Sequence, residues 1–261
     1  MKQVNTERID LPIAVLDSGV GGISVLRELV RRMPSERFLY LGDSKNAPYG
    51  EKTPEEVLAI TRENLRMLRA RGIKALVLAC NTATGAAARI LREENPDFIL
   101  VGIEPALKPA SLICERPRVL VMATPLTLKQ KKFRDLMARF AEQAEILPLP
   151  CPGLVELIEA GELTGDRIEG YLAALFSPYR GTKIDAVVLG CTHYPHVREA
   201  IARQLPQGVR ILDGSEGTAR ETRRRLLEEG LLRETGEGSV EILNSAEDEA
   251  LLRLSHDLLN R

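Results

Sequence analysis

The chain has 261 residues, 44% of them hydrophobic and 28% charged, ordinary values for a globular protein and unlike those of a disordered or collagenous chain. Thirty-six Lys and Arg against thirty-seven Asp and Glu leave a formal charge of −1, so there is no overall positive field to draw it to nucleic acid or an anionic membrane. No apolar run approaches the ~20 residues of a membrane helix, and the start MKQVNTERIDLPIAVL is too polar for a signal-peptide core, so the expected location is the cytoplasm.

In chain order, apolar runs of strand length recur at Ile13–Leu16, Phe38–Leu41, Ala75–Ala79, Ile99–Ile103, Val119–Met122, Ala186–Leu189 and Val209–Leu212. Helical patterns lie between them. Ile23–Leu29 follows the first run. After the second, Thr53-Pro54-Glu55-Glu56 forms a capping box with proline at the first helical position, followed by Val57, Ile60, Leu65 and Leu68 and a stop at Gly72. Strand runs without polar alternation, separated by helices, predict an α/β fold with mostly parallel sheets flanked by helices.

Ala75-Leu76-Val77-Leu78-Ala79-Cys80 and Ala186-Val187-Val188-Leu189-Gly190-Cys191 are near copies 111 residues apart. This weak repeat predicts two related lobes, residues 1–104 with 214–261 and residues 105–213, each presenting a thiol where a core strand ends. Ligands of open parallel sheets bind beyond the carboxyl ends of the strands, so the expected active site is a cleft between the lobes. The leucines of the final segment, Leu251 to Leu259, are expected to pack back on the first lobe.

The four cysteines, Cys80, Cys114, Cys151 and Cys191, are 34, 37 and 40 residues apart, with no C-x-x-C pair and only three histidines. That spacing gives neither a zinc site nor a disulfide framework. Cys80 is followed by Asn81-Thr82-Ala83-Thr84-Gly85 and an alanine-rich helical pattern, and a helix N-terminus favours thiolate. Cys191 is followed by Thr192-His193-Tyr194-Pro195. Cys114 and Cys151 fall outside the paired strand ends and read as packing residues. His196 reads as a helix-start surface or capping residue, and the arginines around Arg224 as a solvated helix face.

Asp17-Ser18-Gly19-Val20-Gly21-Gly22 ends the first strand. It fits a dinucleotide fingerprint only in part, because Ser24 occupies the place of the last glycine, and no Gly-Lys-Ser/Thr follows as in a P-loop. An ordinary tight turn and a cradle for a substrate carboxylate both remain open. For the thiols, a nucleophilic hydrolase would leave one unexplained, and a dithiol redox enzyme would prefer C-x-x-C. A proton shuttle inverting a stereocentre needs an acid and a base on opposite faces of one carbon, which two thiols can supply. Asp17 and His193 are the neighbours able to adjust them.

Together with Pro48-Tyr49-Gly50, Cys80-Asn81-Thr82-Ala83, Cys151-Pro152 leading to Glu159, and Gly190-Cys191-Thr192-His193-Tyr194-Pro195, the Asp17–Gly22 turn makes the chain resemble the bacterial glutamate racemases over essentially its full length. The resemblance implies 1,1-proton transfer interconverting L- and D-glutamate for peptidoglycan, with no cofactor and no metal. Cys80 would take the α-proton of the D-enantiomer and Cys191 that of the L-enantiomer, assisted by Asp17 on one side and Glu159 with His193 on the other. Substrate would be held by Asp17, Ser18, Tyr49, Gly50, Asn81, Thr82, Thr192 and His193, with Thr124 and Thr127 as further contacts. Glutamate would be the partner, with no nucleic acid or membrane; a homodimer is the family's habit. The chain departs from the family pattern at Asn46, Ala123, Lys129–Phe133 and Glu156. The alternatives are a racemase of aspartate or hydantoin, a single-cysteine amidohydrolase and a binding protein.

Overall fold

A computed structural model describes residues 6–261; the polar start, read above as lacking a signal-peptide core, lies in part outside the described residues. The chain divides into two compact units, residues 1–104 with 215–261, and residues 105–214.

In the first unit a short helix, α1 (Thr6–Ile9), precedes β1 (Ile13–Asp17), α2 (Ile23–Arg32), β2 (Arg37–Gly42), α3 (Pro54–Ala70), β3 (Ala75–Leu78), α4 (Asn81–Glu94) and β4 (Ile99–Gly102). The second unit holds α5 (Leu107–Ser111), β5 (Arg118–Ala123), α6 (Pro125–Lys129), α7 (Lys131–Phe140), β6 (Glu145–Pro150), α8 (Leu154–Glu159), α9 (Asp166–Phe176), β7 (Ala186–Leu189), α10 (Arg198–Arg203) and β8 (Arg210–Asp213). The chain then returns to the first unit as α11 (Ser215–Glu228), β9 (Ser239–Asn244) and α12 (Glu249–Leu259).

The sheet orders are β4-β3-β1-β2-β9 and β6-β5-β7-β8, with parallel pairing between neighbours throughout. Matching β1 to β5, β2 to β6, β3 to β7 and β4 to β8 gives one strand order twice, with β9 added to the first edge. The central strands are buried on both faces, β1, β3 and β7 along their whole length, because helices cover the two sides of a parallel sheet. Leu16, Leu39, Leu76 and Leu78 pack with Leu65, Leu68 and Leu91 in the first unit. Val119, Val121, Ala186 and Val188 pack with Leu107 and Phe133 in the second.

The helix signals read from the sequence are realised. Thr53 caps α3, with Glu56 reaching back to the Thr53 N–H at 2.8 Å, and Gly72 just past its end has φ +75°, a conformation that favours glycine. The last helix, α12, packs against α2 and β9, as the leucine pattern predicted.

At the amino ends of β2 and β3, Glu36 and Lys74 form a fully buried ion pair of 2.6 Å. Lys74 also donates to the carbonyls of Ile9 at 2.6 Å and Leu231 at 3.0 Å, and Glu36 accepts from the Arg233 N–H at 2.8 Å. Burial lowers the lysine pKa while Glu36 opposes that shift, so the pair ties the returning chain to the first sheet at a cost in desolvation.

Candidate active site

Strand order dictates where chemistry can sit. From β1 the chain crosses to β2 on one side and to β3 on the other, so the loops leaving β1 and β3 diverge and open a crevice at their carboxyl ends. The second unit repeats this between β5 and β7. Asp17 and Cys80 follow the first pair of strands; Thr124 and Cys191 follow the second.

In the first unit Asp17 ends β1 with none of its surface exposed. Its Oδ1 accepts the Gly19 N–H at 3.1 Å, which turns the chain toward α2. A Cβ at Gly22 would lie 2.6 Å from the Asp17 Cβ, so only glycine lets the helix start this close to the carboxylate. Ser18 beside it is buried. Cys80 stands two residues beyond β3 and is 6% exposed. It is the N-cap of α4, its Sγ accepting the Ala83 N–H at 3.5 Å, so the helix dipole acts on the sulfur. Asn81 and Thr82, in the first turn, are buried, and the Asn81 Oδ1 has no hydrogen-bond partner among the described residues, leaving an acceptor available.

Tyr49 is buried beside Cys80, Val57 and Ala83, and Gly50 after it is half-buried. The Tyr49 hydroxyl donates to Asp43 Oδ2 at 2.6 Å. Burial, then the Asp43 charge, push the phenol pKa far upward, with Cys80 and Asp17 adding to the shift; it therefore remains a neutral donor. The sequence reading did not single out Asp43. This buried carboxylate also accepts from Asn46 at 3.0 Å, Asn64 at 2.9 Å and Ser245 at 2.6 Å. Its signal was an acidic residue just beyond β2, echoing Asp17 at the end of β1.

In the second unit Thr124 caps α6, accepting the Thr127 N–H at 3.3 Å, and the two threonine hydroxyls are 2.9 Å apart. Both residues are buried. Cys191 stands two residues beyond β7 and is 8% exposed; Thr192 next to it is buried. No α-helix starts at this thiol. A single turn of 3-10 helix, Tyr194–Val197, precedes α10. His193 supplies the polar neighbour: its Nδ1 lies 3.7 Å from Cys191 Sγ and its Nε2 lies 2.6 Å from Glu159 Oε1. Glu159, the last residue of α8, is 19% exposed at its side chain, whereas Glu156 is exposed. Burial works against protonation of His193, but the hydrogen bonds and charges of Cys191 and Glu159 hold its pKa well above 6.5. With both nitrogens protonated, Nε2–H donates to the carboxylate and Nδ1–H to the sulfur.

Two expectations for bland residues need qualification. Cys151 is buried, its thiol donating to the Leu149 carbonyl at 3.3 Å and its pKa pushed up to about 12, chiefly by burial, but Cys114 is exposed and packs no core. It lies three residues past the end of α5. His196 is half-buried, in the 3-10 turn that leads into α10. Arg224 pairs with Glu221 at 2.7 Å and with Glu228 on the exposed face of α11. Among the described residues no group of three or more His, Cys, Asp or Glu could hold a metal ion, and no helix is long and apolar enough to cross a membrane.

A parallel α/β fold given twice, with a buried thiol and polar partners beyond matching strands of the two sheets, sets the class of protein, and comparison with known proteins gives the family. Residues 13–222 match the model of the Asp/Glu/Hydantoin racemases, and the chain belongs to that family. It is 49% identical over 249 residues to a glutamate racemase of Clostridium perfringens, covering 95% of this chain and 96% of that one. The glutamate racemase of Francisella tularensis, solved in complex with D-glutamate, superposes with a TM-score of 0.85 at 27% identity, covering 97% of this chain and 95% of that one. The Escherichia coli glutamate racemase, solved with L-glutamate and the activator UDP-MurNAc-ala, gives 0.84 at 32% identity over 95% of each chain.

Proposed function

We propose that this chain interconverts L- and D-glutamate by two-base proton transfer, and that the D-glutamate serves peptidoglycan synthesis. The observation that carries the reading is the repeated placement of a thiol two residues beyond β3 and β7, each with its own polarising neighbours. In the reaction one sulfur, as thiolate, removes the α-proton; the other, as thiol, delivers its proton to the opposite face. The C–H bond that breaks and the one that forms belong to the same carbon, and the two sulfurs exchange protonation states.

A free thiol has a pKa near ~8.5 and is largely protonated at neutral pH. Thiolate at Cys80 is favoured by the α4 N-terminus, and the adjoining Asp17 carboxylate can take up or return a proton. At Cys191 the His193 imidazolium, which Glu159 orients, can give a proton to the sulfur or take one back. Negative charge developing on the substrate carboxylate would meet the backbone N–H groups of Gly19–Gly22 and the side chains of Asn81, Thr82 and Thr192. Donors fixed in advance act most strongly where water is excluded. Tyr49 and Gly50, with Ser18, Thr124 and Thr127, would shape the site around the substrate.

The test is solvent deuterium uptake at the α-carbon of each glutamate enantiomer, with aspartate as a competing substrate. Wild type should label both glutamate enantiomers, and Cys80→Ser and Cys191→Ser should each lose racemisation by at least ~100-fold, within the range for a lost acid or base. Wild-type racemisation by either variant would refute the two-base assignment. Faster exchange of aspartate than glutamate would move the substrate assignment, and no exchange at all would favour a binding role.

A further inference from the structure

The repeat of strand order accounts for every strand except β9. In the second unit β6 ends its sheet, whereas in the first the matching strand, β2, is flanked by β9, which the chain supplies after its return. The pairing is parallel, with Gly42 opposite Asn244. The carboxyl end of β9 therefore lies beside that of β2, at the end of the sheet where Asp17 and Cys80 follow their strands. The turn after β9 is laced to the segment after β2. The Ser245 N–H donates to the Gly42 carbonyl at 2.9 Å, the Asn244 amide donates to Ser44 Oγ at 2.9 Å, and Ser245 Oγ accepts the Lys45 N–H at 3.0 Å.

Ser245 Oγ in turn donates to Asp43 Oδ1 at 2.6 Å. The other oxygen of this buried carboxylate accepts the Tyr49 hydroxyl at 2.6 Å and the Asn64 amide at 2.9 Å, while Asn46 donates to both oxygens at 3.1 and 3.0 Å. A carboxylate has about four lone-pair sites, so these donors fill it and fix its orientation. The Tyr49 hydroxyl is committed to Asp43, so what the residue offers a ligand is the placement of its ring beside Cys80 and of the Gly50 backbone after it. The chain of hydrogen bonds sets that placement: the serine fixes the carboxylate, and the carboxylate fixes the phenol.

We propose that Ser245 is a positioning residue for the Tyr49–Gly50 segment, acting through Asp43. This rests on the reading of Tyr49 and Gly50 as substrate contacts. Hydrogen bonds to an ionised acceptor are stronger than neutral ones, and a segment that holds bound substrate and transition state alike raises KM with little change in kcat when it is misplaced. The added strand thus serves the site as well as the sheet edge.

The experiment pairs steady-state kinetics on D-glutamate with hydrogen–deuterium exchange of residues 44–52, read by mass spectrometry on the full chain without substrate. Ser245→Ala should raise KM about fivefold with kcat within about twofold of wild type, and should speed exchange in residues 44–52. Ser245→Thr keeps the hydroxyl and should hold both readouts near wild type. Tyr49→Phe cuts the far end of the chain of bonds, so it should raise KM by itself, and adding Ser245→Ala to it should raise KM by less than about twofold more. A serine that served only stability would lower the thermal midpoint in Ser245→Ala and leave KM alone. An unchanged KM in Ser245→Ala, an equal rise in Ser245→Thr, or effects of Ser245→Ala and Tyr49→Phe that multiply in full overturns the proposal. Exchange does not require turnover, so unchanged exchange in Ser245→Ala overturns it whatever the substrate, and faster exchange in a protein that labels no glutamate would refute the racemase reading alone.

Discussion

Cys80 and Cys191 occupy the same place in two copies of one strand order, yet their surroundings differ. Cys80 caps the 14-residue helix α4 and packs against Tyr49, whose hydroxyl is fixed by Asp43. Cys191 meets one turn of 3-10 helix and a buried imidazole linked to Glu159. The position of each thiol follows from the fold, because a switch point lies beyond the same strands in both sheets. What surrounds each thiol is local. One unit sets it at the N-terminus of a helix, and the other beside a side chain that can itself gain or lose a proton.

The largest test of this contrast is His193→Asn. It removes the imidazolium at Cys191 and leaves the α4 cap at Cys80 untouched. We expect kcat/KM to fall by about 10²–10³-fold, in the range for a lost acid–base partner. Enantiomers have equal free energy, so kcat/KM must fall equally in both directions and cannot report which thiol suffered. Alkylation can: Cys191 should lose reactivity near pH 7 and Cys80 should keep it. A reduced rate at Cys80, or a loss below fivefold, breaks the contrast.

A second effect separates the two devices by pH. In the unfolded chain His193 titrates near ~6.5; in the fold its pKa is raised against the opposing effect of burial. The fold therefore favours the protonated form. Its contribution to stability is fully present below ~6.5 and is lost as pH rises through the folded value. Imidazole NMR should show His193 still protonated at pH 7.5, and Glu159→Gln should lower its pKa and flatten the loss of stability over that window. A His193 that titrates at 6.5 in wild type would sink the assignment.

What the sequence disclosed follows the same division between position and surroundings. Strands buried on both faces were legible as apolar runs, but β6 and β9 were not. Both are edge strands. The β6 run, Glu145-Ile146-Leu147-Pro148-Leu149-Pro150, carries two prolines of a kind tolerated at an edge, and β9, Ser239–Asn244, is half-polar. The candidate site residues were legible because they lie in local motifs at strand ends. Asp43 was not, because two of the partners that hold it, Asn64 and Ser245, lie 21 and 202 positions away. The cysteines outside the repeat show the same limit: buried Cys151 and exposed Cys114 look alike without the fold.

The smallest expected effect tests whether Cys80 is a helix cap as well as a proposed base. Serine is among the strongest N-cap residues, so Cys80→Ser should cap α4 at least as well as the thiol while losing racemisation. The gain should be at most about 1 kcal/mol, raising the thermal midpoint by about 1–3 °C. Cys191→Ser has no α-helix to cap and exchanges a buried sulfur for a hydroxyl that needs partners, so its midpoint should stay level or fall. Differential scanning calorimetry of both variants reads the difference directly. If the two midpoints move together, the contrast between a backbone-held and a side-chain-held thiol does not extend to stability.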